Sequence, residues 1–233
     1  MEFSPILISL KTAAVSIVIT FFLGVLCARW VAFMHSQRAK MIIDGILTLP
    51  LVLPPTVLGF FLLLIFGVRR PFGHFILETF GVTIVFTWWA TVVAAVVVAF
   101  PLMYRSARGA FEQVDKNLIY AGRTLGMPEG RIFRRVVIPV AMPGIATGGV
   151  LAFARGLGEF GATIMLAGNI AGRTRTLPLA IYSDVAGGDM ESAYSYVLIL
   201  CIISFVVVIG MNFFTLRRDP LARKRSAERR SEA

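Results

Sequence analysis

Arg155 and Glu159 stand four residues apart inside an otherwise uncharged apolar run, LAFARGLGEFGATIML. On a helix that spacing puts both side chains on one face. Charges at membrane depth are costly, and they are usually paired or turned toward water. Two readings follow: a mutual ion pair near the outer interface that fixes packing, or charges lining the route of an anion. The first is the simpler, because the pair satisfies itself. The remaining reactive side chains build less. His35 and His74 fall on opposite sides of a membrane in the topology argued below, so they cannot share a metal. Cys27 and Cys201 lie in apolar runs and read as small hydrophobes. No H-E-x-x-H, G-x-S-x-G or G-x-x-x-x-G-K-[ST] occurs, and Lys11, Lys40, Lys116 and Lys224 each follow a residue other than Gly. The chain is expected to carry no catalytic residue, metal or cofactor. Any ATP and Mg belong on a partner.

The elements that position these residues are apolar. The chain has 233 residues, is 57% hydrophobic, and has a mean hydropathy of +0.80 and a net charge of +10. Charged residues make up 15%, against about a quarter in a soluble domain. They also leave five long gaps, ending at Arg29, Arg69, Arg105, Arg155 and Arg217. A spanning helix needs about 20 mostly apolar residues. The expectation is an all-α integral membrane protein with five spans, at about 12–34, 46–68, 83–104, 136–160 and 192–216. Using 160–172 as a sixth span is disfavoured by its shortness.

Basic residues set the orientation. Arg29, Arg38 and Lys40, the loop 105–135 and the tail 217–233 gather most of them on one side; Lys11, Arg69, Arg70, Arg173 and Arg175 fall on the other. The positive-inside rule places the N-terminus outside and the C-terminus in the cytoplasm. The basic tail reads as disordered or lying on anionic membrane lipid. No nucleic-acid-binding fold accompanies it, and no nucleic-acid partner is expected.

One polar stretch interrupts the apolar pattern, DKNLIYAGRTLGMPEGRIFRRVVIPVAMPG at 115–144. It reads as two short amphipathic helices. Asp115 caps the first and Gly126 stops it. Pro128 suits the first turn of the second, which carries Ile132, Phe133, Val136 and Val137 on one side. A rigid helical knob on the basic side is a surface that another protein can push against.

The second span carries LPLVLPP, with Pro50, Pro54 and Pro55. Prolines remove backbone donors, and in hydrocarbon a non-helical backbone survives only against protein or a water-lined cavity. A broken helix lining a pathway and a kinked structural helix remain equal readings. Trp88 and Trp89 read as interfacial anchors. Glycines including Gly144, Gly148, Gly156, Gly158 and Gly161 give the fourth span a surface that another helix can approach closely. The stretch 168–193, with Arg173 and Arg175 among threonines, is either a docking or anion-receiving surface or a solvated loop.

These residues carry a resemblance. Tyr120-Ala121-Gly122, Gly126, Val136, Ile138 and Pro139 fall in the frame of the EAA loop of ABC importer permeases, with Tyr120 where Glu is usual and Gly122 where Ala is usual. TLPLVLPPTVLGFFLLL at 48–64 and LAFARGLGEFGATIMLAGNIAGRTRTLPLAIY at 151–182 resemble the molybdate-importer permeases. The ARGLGEFGA-like element is shared with sulfate and tungstate permeases. The resemblance implies a type I ABC importer permease arrangement in the bacterial inner membrane. It implies a homodimer served by two copies of a cytoplasmic ABC ATPase and by an extracytoplasmic oxyanion-binding protein. It places ATPase coupling on Ala121, Gly122, Arg123, Thr124, Leu125, Gly126, Pro128, Ile138 and Pro139. The expected translocation pathway takes Pro50, Pro54, Pro55, Arg155, Gly158 and Glu159. A sulfate or tungstate permease is the close alternative, and a standalone carrier or channel the distant one.

Overall fold

The computed structural model describes residues 2–218, with side chains through residue 210. Residues 219–233, most of the expected basic tail, lie outside the described residues. Among the described residues the regular structure is helical throughout. Among these residues four helices are long and apolar enough to cross a membrane: α1 (Ser4–Ala32), α5 (Trp88–Glu112), the helix over Glu129–Leu157, and α11 (Met190–Arg218). A fifth crossing exists if α2 (Gln37–Val52) and α3 (Pro55–Phe66) count as one span, and these meet at a bend of 112°. The short helices α4 (Pro71–Phe80), α6 (Lys116–Thr124), α9 (Gly161–Ala167) and α10 (Leu177–Gly187) join or cap them. Residues 160–172 therefore hold only the seven-residue α9, too short to span.

Several bounds differ from those expected, each for a local reason. α1 begins at Ser4, because Pro5 suits a first helical turn and Lys11 is exposed on its flank. The third span starts at Trp88, after a turn in which Gly81 and Phe86 have φ of 67° and 61°. It runs on to Glu112, because α2 supplies partners for its terminal charges. The second of the two short polar helices is not separate. Glu129–Ile132 (α7) continues through a π-helical turn, Phe133–Val137, into α8 (Ile138–Leu157). Pro139 explains the turn. It has no N–H to give and would crowd a carbonyl one turn back, and a widened turn accommodates both.

α5 is the hub. α1 and α8 pack on it along most of its length, and α3 and α9 cover its Trp88 half. Between Ile8 and Val31 the face that α1 buries is made of small residues, Ser9, Ala13, Ser16, Thr20, Gly24 and Ala28 among them, while Phe22, Leu23, Leu26 and Trp30 point outward. This inverts the soluble pattern. Lipid is as apolar as leucine, so helices associate through close packing of small side chains. A Cβ on Gly24 would meet Met103 Cγ at 2.6 Å, and Cβ atoms on Gly144 and Gly148 would meet Ala110 Cβ and Ser106 Cβ at the same distance. Buried hydroxyls add interhelical bonds: Thr12 and Thr91 lie 2.8 Å apart, and Trp88 Nε1 donates to Thr12 Oγ1 at 3.1 Å. Trp88 thus turns inward, whereas Trp89 stays exposed.

Candidate functional site

The polar turn after α5 is built by short-range bonds. Asp115 Oδ1 accepts the Asn117 N–H at 2.9 Å and starts α6. At the other end the Gly126 N–H reaches Arg123 O at 2.9 Å, and the Met127 N–H reaches Gly122 O at 3.0 Å. That pair of bonds is a Schellman closure, and Gly126 supplies the left-handed residue it needs, with φ of 71°. Pro128 then opens α7.

α6 touches the rest of the protein sparingly. Within it only Gly122 is buried, resting on Ile132 of α7, while Ile119 leans on the core beneath. Ala121, Arg123, Thr124 and Leu125 are exposed, Leu125 at 79%. Arg123 Nε donates to Glu129 Oε1 at 2.7 Å, and its guanidinium lies over the Tyr120 ring. The hydrogen bond and charge of Glu129 raise the Arg123 pKa, and Arg123 holds the Glu129 carboxyl below its usual range. Residues 121–128 thus form one compact, tied turn with an outward face. Ile138 and Pro139 lie farther along the same helix, beyond the π turn.

The second group of expected residues gathers at the far end of α8. Pro50 sits in the last turn of α2, Pro54 is the residue before α3, and Pro55 is its first. Of the two readings left open by the prolines, the backbone takes the break: α2 and α3 meet at 112° rather than forming one kinked helix. α3 lies directly on α9: Cβ atoms on Gly59 and Gly161 would meet Met165 Cβ at 2.7 Å and Pro55 Cβ at 2.9 Å. The LPLVLPP and GLGEFGA stretches are therefore in backbone-close contact.

Arg155 and Glu159 form the expected ion pair, Nη1 to Oε2 at 2.8 Å. The spacing argument placed both on one helix, but α8 ends at Leu157, so the pair spans the helix end. Glu159 is buried, and its other oxygen accepts the Ala162 N–H at 2.8 Å, fastening α9. The guanidinium does not aim an N–H at Oε2, which keeps the charge contact alone. The stretch after α9 is a tight structured turn. Thr174 is fully buried, its Oγ1 accepts the Ile170 N–H at 3.0 Å, and Arg175 Nε donates to Asn169 Oδ1 at 3.0 Å.

Sequence reasoning missed a network at the Glu112 end of α5. Lys40 Nζ lies 2.7 Å from Glu112 Oε1, Arg108 pairs with both Asp44 and Glu112, and Tyr104 Oη donates to Asp44 Oδ1 at 3.0 Å. It pins α2, which buries no residue of its own, to α5. The signal was present as two charged pairs four residues apart, Lys40/Asp44 and Arg108/Glu112.

Comparison with known proteins adds identity to this geometry. The family model described as binding-protein-dependent transport system inner membrane component matches residues 13–220. A putative molybdenum transport system permease protein of Bacillus subtilis, YvgM, is 42% identical over 206 residues, 88% of this chain and 90% of the relative. The molybdenum transport system permease protein ModB of Escherichia coli K12 is 42% identical over 210 residues, 89% of each. Among solved structures, the MetNI methionine ABC transporter in an inward-facing conformation matches with a TM-score of 0.72 at 18% identity, covering 92% of this chain and 94% of that one. A bacterial ABC transporter that imports alginate matches with a TM-score of 0.75 at 15% identity, covering 92% and 79%.

Proposed function

Because this chain belongs to the family of binding-protein-dependent transport system inner membrane components, and so is the permease part of an ABC importer, we propose that its cargo is an oxyanion, molybdate. The observation that carries the substrate is the 42% identity, over about nine-tenths of both chains, to permeases named for molybdenum transport. In this reading the permease works as a homodimer with two copies of a cytoplasmic ATPase that binds ATP and Mg. An extracytoplasmic oxyanion-binding protein selects the cargo. The N-terminus is outside and the C-terminus inside, as the basic loops require.

The mechanism runs along one helix. α6 and its Gly126 turn meet the ATPase, and the helix over Glu129–Leu157, 29 residues or about 43 Å at the α-helical rise, carries displacement across the membrane. At its far end Arg155, Gly158 and Glu159 fasten α9, and α9 lies on the Pro54–Pro55 break. ATPase closure at one end therefore moves the broken span at the other. Pro50, Pro54, Pro55, Arg155, Gly158 and Glu159 flank the pathway in this scheme. Glu159 is neutralised by Arg155, so an entering anion meets no bare negative charge.

The test is molybdate accumulation at trace external concentration in cells with and without the gene, each with and without excess sulfate. Loss on deletion, with wild-type uptake indifferent to sulfate, supports molybdate. Strong inhibition by sulfate moves the protein to the sulfate branch, and tungstate competition separates the remaining rival.

A further inference from the structure

Six arginines near the coupling end differ in their partners. Arg108 and Arg123 each have a carboxylate partner. Arg29, Arg131, Arg134 and Arg135 have none among the described residues, and all four are exposed. They line one cleft of about 540 Å³ with Gly130 and Phe133. Arg29 is preset there, its guanidinium 4.1 Å above the Phe133 ring. Arg134 and Arg135 come from the π-helical turn, which fixes how they leave the helix.

Only the α1 side of the neighbouring groove is apolar; its other side carries Lys40, Glu112, Lys116, Arg123 and Glu129. Arg29 and Phe133 also line a larger groove whose α1 side is Leu26, Trp30 and Phe33, exposed at 59%, 59% and 45%. These three share a helical face with Arg29 where α1 ends. Cationic cleft and apolar wall are thus continuous through a single residue pair.

We propose that this cleft binds the headgroup of an anionic phospholipid, with Arg29, Arg134 and Arg135 on its phosphate and the acyl chains running into the bilayer along Leu26 and Trp30. Charge complementarity selects the headgroup, since a zwitterionic lipid brings its own cation into a pocket of four. The wall selects a lipid over an acidic protein surface, which would leave Trp30 and Leu26 uncovered. The lipid would tie the end of α1 to the π turn, so membrane composition would bear on the coupling helix. The assignment needs the chain in a membrane, and it holds whichever oxyanion is carried.

The test uses the full transporter purified in detergent, with co-purifying phospholipid counted by mass spectrometry and thermal stability read in added phosphatidylglycerol or phosphatidylcholine. Wild type is expected to retain phosphatidylglycerol and to be stabilised by it over phosphatidylcholine. Removing charge weakens retention by about fivefold per arginine near the surface, so R29Q/R134Q/R135Q should lose nearly all of it, while R134K/R135K keeps most. Equal retention of both lipids by wild type overturns the site. Equal stabilisation by soluble glycerol phosphate makes it a free-phosphate site and overturns the lipid. Loss of the ATPase from the glutamine variant with lipid unchanged assigns the cleft to an acidic protein surface, and also overturns it.

Discussion

Gly122 of α6 rests on Ile132 of α7, and a methyl group added to Gly122 would meet Ile132 Cγ1 at 3.0 Å. Together with the Arg123–Glu129 hydrogen bond, this contact holds α6 against α7. Gly122→Ala should be nearly neutral, because helix propensity returns about 1 kcal/mol against the crowding. Gly122→Leu should prise α6 away. Limited proteolysis between α6 and α7, with uptake measured alongside, distinguishes them; equal protection in both variants would contradict the contact.

Gly126 closes α6 in the left-handed region, with φ of 71°. Gly126→Ala should cost about 1–2 kcal/mol there, and Gly126→Asn less. Gly126→Pro also loses the N–H given to Arg123 O and cannot reach the required φ. The proline variant should remain in the membrane and bind cargo-loaded partner yet fail to link ATP use to uptake. Charge reversal at Arg123 should act the same way, by breaking its bond to Glu129. Normal uptake in both would remove the coupling assignment.

The Arg123–Glu129 pair carries a pH signature. Arg123 hydrogen-bonds the carboxylate and lowers its pKa in the folded state. Its stabilisation is complete above the unfolded value and is lost as pH falls through the lower folded one. Wild type and Glu129→Gln should therefore differ slightly in melting temperature at neutral pH and converge as pH falls below the ordinary glutamate range. Both side chains are exposed, so high salt should shrink the difference as well. A gap that widens on acidification would reverse the account.

Glu159 fastens the far end. Glu159→Ala removes a buried carboxylate from Arg155 and the acceptor of the Ala162 N–H, a loss of about 3 kcal/mol. Glu159→Gln retains the acceptor and should lose about half of that. R155Q/E159Q should recover part of the loss, because no uncompensated charge remains. Denaturant titration in detergent reads all three. If Glu159→Gln proved as damaging as Glu159→Ala, with no recovery in the pair, neither the Ala162 hydrogen bond nor the uncompensated Arg155 charge would account for the loss.

Much of this was legible in the chain because the local signals are strong. Charge-free runs marked the crossings, three prolines marked the break, and Asp115 and Gly126 marked the ends of α6. Spacing also paired Arg155 with Glu159, although Gly158 stopped the helix between them. Other features depend on partners distant in sequence. Residues 115–144 look like two short helices because Gly126 and Pro128 punctuate them, but backbone continuity through Phe133–Val137 depends on how α8 accommodates Pro139. The contact between Gly161 and Pro55 joins segments more than a hundred residues apart. The stripe from Ser9 to Ala28 escaped notice because a membrane interface selects smallness, which hydropathy does not register.

The most direct measurement is molybdate entry into vesicles that hold the permease and its ATPase, with the binding protein supplied on the extracytoplasmic side. Entry should require ATP, the ATPase and the loaded binding protein together, and should vanish in Gly126→Pro while ATP hydrolysis persists. Entry driven by this chain alone, without ATP or partners, would contradict the account and make the protein a carrier in its own right.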